Sequence, residues 1–154
     1  MKHPELQLGR TKEVAATYFG CVMLSHKWEE REPLFGDING NDVYNLDPVG
    51  GIMGLQSFCK IARAAGYRWA WSDTCCIDKT NQFEEQRSIN SMFVWYRHSA
   101  LTIVYLSDVP SKSIAQSAWI GRGWTIRESL GPRVLHFYRK DWTLYPADHS
   151  FNRK

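Results

Sequence analysis

Six consecutive residues, "LTIVYL" at 101–106, are branched or apolar almost throughout and are bounded by His98–Ser99 and Ser107–Asp108. A strand with one face in water would alternate, so an unbroken run of this length reads as a strand covered on both faces. A second run, "CVMLS" at 21–25, has the same character and ends in serine. Buried strands of this kind belong to parallel sheets, which need crossover helices between them. The intervening sequence supplies these. A helix is expected from about 47 to 65, with Asp47 as N-cap, Pro48 in the first turn and Gly66 as the stop. "YRWAWS" (67–72) reads as the next strand, and Asn81 followed by Glu84 as the capping-box-like start of the next helix. A short helix around 124–130 and a fourth strand, "RVLHFY" (133–138), complete the series. Strand and helix in alternation specify an α/β domain with a mostly parallel sheet.

With 154 residues, one domain is expected. A net charge of +3, spread along the chain, gives no basic stripe for nucleic acid. No apolar run approaches the roughly 18 residues of a membrane span, and "MKHPELQLGR" has no apolar signal-peptide core. The four cysteines (21, 59, 75 and 76) form no disulfide framework, which points to a reducing, cytoplasmic setting. The polar stretch from 26 to 51 reads as a long loop of the kind that tends to carry function.

Ligands of open parallel sheets bind beyond the carboxyl ends of the strands. Ser25, His26 and Trp28 lie there after the first strand, and Asp73 after the second. The loop after the third strand leads to Arg122, Trp124 and Glu128. The cysteines lack the spacing that chelates zinc, so no metal site is expected. Neither a P-loop nor a Rossmann glycine pattern is present. Cys75 as a nucleophile remains an outside reading, since it would need an adjacent base.

Four blocks in order, "VMLSHKW" (22–28), "WSDTCCIDKTN" (71–81), "EEQRSINSMFVWYRHSALTIVYLSDV" (84–109) and "RGWTIRES" (122–129), resemble the fungal heterokaryon-incompatibility (HET) domain. Two positions depart from the family pattern: Glu29 stands where glycine is common, and Arg127 where glutamine precedes the final glutamate. HET domains are in turn similar to Toll/interleukin-1 receptor (TIR) domains, whose Ser-x-Trp-Cys-x-x-Glu-Leu segment resembles "SAWIGRGWTIRESL". The resemblance implies a single flavodoxin-like (TIR-like) domain over 20–145, an N-terminal extension over 1–19, and a tail or linker start over 146–154. It implies a cell-death effector of fungal innate immunity that hydrolyses NAD as substrate and needs no cofactor. Glu128 is then the catalytic carboxylate. Ser25, His26, Trp28, Asp73, Arg122 and Trp124 bind the substrate, with Arg122 meeting its pyrophosphate. The open alternative is a non-catalytic module acting by self-association or partner recruitment, with further C-terminal domains in a longer protein. Most apolar positions fit core faces, which leans toward the enzyme.

Overall fold

The computed structural model describes residues 20–109 and 112–146. The proposed extension over 1–19, the tail beyond 146 and the side chain of Arg127 lie outside the described residues. Four strands, β1 (Cys21–His26), β2 (Trp69–Trp71), β3 (Leu101–Leu106) and β4 (Leu135–Arg139), form one all-parallel sheet in the order β2-β1-β3-β4. This is the flavodoxin-like order, which reverses direction between β1 and β3. The helices are α1 (Phe35–Ile38), α2 (Gly51–Ala64), α3 (Gln82–His98) and α4 (Thr125–Leu130).

The pleat divides β1 between two cores. Val22 and Leu24 pack with Leu55, Phe58 and Ala62 of α2, whereas Met23 packs with Met92 and Tyr96 of α3. Helices α2 and α3 therefore cover opposite faces, as crossovers of one hand require when strand order reverses. A third cluster joins Val104 and Leu106 to Trp119 and Phe137 under the second half of the sheet. The Tyr96 hydroxyl crosses from α3 to donate to the Leu24 carbonyl at 2.9 Å. Tyr96→Phe should cost about 1–2 kcal/mol, the scale of one buried hydrogen bond with its acceptor left unpaired. The urea midpoint measures it; an unchanged midpoint would mean the bond contributes nothing.

Four sequence expectations need correction. Helix α2 starts at Gly51 rather than near Asp47, because Gly50 adopts φ 55° and ψ −134°, which breaks the turn. A Cβ on Gly50 would stand 2.7 Å from the Glu30 carbonyl, so this close approach requires glycine. The expected second strand shrinks to three residues at the sheet edge, where Trp69 is 60% exposed. Within the expected loop after β1, α1 and a 3-10 turn at Val43–Asn45 form. Asn81 caps α3 through the Glu84 amide at 3.2 Å, while the Glu84 carboxylate reaches the Asp78 amide rather than completing the capping box.

Candidate functional site

Ser25 sits near the carboxyl end of β1, paired with Val104 of β3, at the point where strand order reverses. The loop after β3 brings α4 back over this point and buries Glu128, which retains only 3% of its exposure. The Ser25 hydroxyl donates to Glu128 Oε2, although 103 residues separate the two. Trp119 donates its indole N–H to the same serine oxygen at 2.7 Å. Arg122 Nη1 lies 3.6 Å from Glu128 Oε2 and donates to the His26 carbonyl. Two loops thus meet at one carboxylate. Burial pushes the Glu128 carboxyl pKa up, while the Ser25 hydrogen bond and the Arg122 guanidinium pull it back down.

Glu128 lines a cleft of about 500 Å³ together with Asp73, Arg122, Trp28 and Trp124. That volume lies within the range of small-molecule sites. Both indoles are partly open, Trp28 at 48% and Trp124 at 41%. The Trp28 ring is held on two sides. Its N–H donates to Asp73 Oδ2 at 2.9 Å, and Lys79 Nζ stands 4.6 Å from the ring centroid. Lys79 is itself fixed by donation to the carbonyls of Asp73 (2.6 Å) and Thr74 (3.0 Å). Ile77, Ile89 and Met92 give the cleft an apolar wall, and Lys27 and Glu85 stand on its lining as well.

Five of the seven candidate side chains line this cleft, and Ser25 joins them through its hydrogen bond to Glu128. His26 does not, because one step along a strand turns a side chain to the other face. Its ring instead meets Glu32, with Nε2 at 3.1 Å from Oε1, and only its carbonyl serves the cleft through Arg122. Nδ1 of His26 is buried with no hydrogen-bond partner among the described residues. Lys27, Lys79 and Trp119 were not among the candidates. The Lys79 contacts answer a general need, since loop carbonyls just past a strand end lack ladder partners.

The Cys75 thiol is 1% exposed, and its hydrogen bond with Cys76, together with burial, pushes its pKa far above the usual thiol value. Such a thiol makes a poor nucleophile. Among the described residues no group of three or more His, Cys, Asp or Glu is placed to hold a metal ion, and no helix is long and apolar enough to cross a membrane.

Residues 22–114 match the family model described as heterokaryon incompatibility protein (HET). The chain belongs to the HET family. The matched stretch takes in β1 to β3 and the first three sequence blocks, and it stops before Arg122–Ser129. This HET domain is also 34% identical over 147 residues to vegetative incompatibility protein HET-E-1 of Podospora anserina. That match covers 86% of the chain but only 10% of the relative, so the domain spans about a tenth of the length of the protein it resembles. No solved structure matches the chain.

Proposed function

We propose that this HET domain hydrolyses NAD, releasing nicotinamide, and that this chemistry serves a cell-death response in vegetative incompatibility. The role in incompatibility rests on the family and on the relative's name. The chemistry rests on one observation above the others: a buried carboxylate, Glu128, set in the wall of an indole-flanked cleft with a hydroxyl and a guanidinium on one of its oxygens. The resemblance of its segment to the TIR glutamate segment supports the same reading.

In NAD the nicotinamide nitrogen is already cationic. The glycosidic C–N bond breaks with its electron pair going to the ring, which leaves as neutral nicotinamide without a general acid. Water then adds to the ribosyl cation and loses a proton, so NAD⁺ and water become ADP-ribose, nicotinamide and H⁺. The catalyst's task is to hold the ribose and stabilise the oxocarbenium-like centre, which an ionised Glu128 does by charge. Trp124 precedes Glu128 by one helical turn and faces the same cleft, where it stacks on a planar ring. Arg122 is already engaged with Glu128 and the His26 carbonyl, so the pyrophosphate falls to Lys27. Lys27 is exposed on the cleft lining and forms no ion pair among the described residues.

The second reading, action by recruitment, is favoured by a specific surface. Val94 and Trp95 of α3 are exposed beside the edge strand, where Trp71 meets Trp95 at 5.7 Å and Trp69 stands on the same face. Val94 and Trp69 are exceptions to the expectation that most apolar positions fit core faces. Purified domain at high concentration incubated with NAD distinguishes the two. Nicotinamide release above the buffer rate is expected, and its absence under conditions that promote assembly favours recruitment.

A further inference from the structure

The Ser25 hydroxyl has one hydrogen and can face a carboxyl group in two ways, donating to the ionised form or accepting from the protonated one. Its other neighbour biases that choice by occupying one of the two lone pairs of the hydroxyl oxygen. An indole nitrogen only donates, and Trp119 Nε1 points at Ser25 Oγ from 2.7 Å. With its oxygen accepting from the indole, the serine hydrogen goes to Glu128 Oε2. Trp119 is 4% exposed and its ring stands edge-on to Phe137 at 5.8 Å and 85°, so the donor has little room to turn away. Ser25 and Arg122 both approach the same carboxylate oxygen, Glu128 Oε2.

We infer that Trp119 is a positioning residue: its N–H orients the Ser25 hydroxyl toward Glu128 and thereby holds that buried side chain as a carboxylate. A hydrogen bond given to the charged form lowers a carboxyl pKa, and a hydroxyl free to flip gives up part of that bias. The need is plain from the surroundings. Burial disfavours the charge, and Asp73 opposes it from across the cleft. Arg122 and His26 favour it, while Tyr96 of α3 lies close enough to feel it. Lys27, Lys79 and Glu85 complete the charged lining. The functional meaning of this relay rests on the proposed role of Glu128; its existence does not.

The test follows the Glu128 carboxyl by ¹³C NMR in protein labelled at the glutamate side-chain carboxyl, with the Glu128 signal assigned by its absence in Glu128→Gln. Trp119→Phe keeps the ring against Phe137 and removes the N–H. Its Glu128 titration midpoint should rise by about half a unit or more, as should that of Ser25→Ala. Combining Trp119→Phe with Ser25→Ala should add nothing further, because the indole acts only through the hydroxyl. Should the phenylalanine variant fold poorly, 3-benzothienylalanine at position 119 replaces N–H by sulfur at nearly constant shape. An unchanged midpoint in the folded variant would overturn the inference, and so would equal shifts with and without Ser25. None of these readings uses NAD turnover. Failure of the hydrolase reading would leave the relay standing, and failure of the relay would leave the hydrolase reading untouched.

Discussion

Glu128→Gln is expected to lower nicotinamide release from NAD by about 100-fold or more, the scale of losing one well-placed electrostatic stabiliser of a transition state. Gln keeps the size of the side chain and can still accept from Ser25, so the loss would report charge rather than shape. The same variant makes a second prediction with a fixed sign. The folded pKa of Glu128 is raised by burial, so between the unfolded glutamate value, about 4.3, and the folded value the native state binds more protons than the unfolded one. Stability contributed by that proton uptake is lost as pH rises through this window. Glu128→Gln, which cannot titrate, should therefore gain on the wild type as pH rises from the unfolded value through the folded one. Paired urea titrations at several pH values measure the difference. A stability gap independent of pH would show that Glu128 does not titrate with a raised pKa. Turnover equal to wild type would remove Glu128 from the chemistry while leaving the activity itself in place.

Phe58→Ala is expected to destabilise the domain by about 3–5 kcal/mol. Phe58 is the fully buried side chain through which α2 meets Val22, Leu24, Leu101 and Ile103, so its removal opens a cavity between the helix and both central strands. Against a typical total of 5–15 kcal/mol the variant would sit near its unfolding threshold at 37 °C. A drop in Tm of about 10 °C or more should accompany it. Phe83→Ala is the control: that ring is 81% exposed, and its loss should change stability by no more than about 0.5 kcal/mol. A Phe58 variant as stable as the Phe83 variant would mean that the α2 face relaxes to fill the space.

What could be read from the chain depended on whether a residue answers to its neighbours in sequence or in space. The bounds of β3 were legible to the residue, because an unbroken run of branched or apolar residues lies between polar pairs. The Asn81 cap was legible because its partner is three residues away. The start of α2 was not, since Gly50 is shaped by the Glu30 carbonyl across the chain turn. The candidate site behaved in the same way. Residues just past strand ends were the right place to look, and the fold brings Trp28, Asp73, Arg122, Trp124 and Glu128 to one cleft, with Ser25 bonded to Glu128 behind it. His26 was misplaced although the pleat already put it opposite Ser25; strand alternation, applied to the last residue of β1, would have separated them. Trp119 and Lys79 were illegible for a different reason. Each is identified by the atom it donates to, and those atoms lie on segments whose approach only the folded chain reveals.

The central pair of the sheet joins β1 to β3, and the carboxylate cluster spans the 103 residues from Ser25 to Glu128. A ribosome emits the chain from its amino end, so β1 has no central neighbour until residue 106 has emerged, and Ser25 has no carboxylate until α4 follows. No shorter nascent fragment can contain the cleft. A cell making this domain would meet the assembled centre only after nearly all of the domain has been translated.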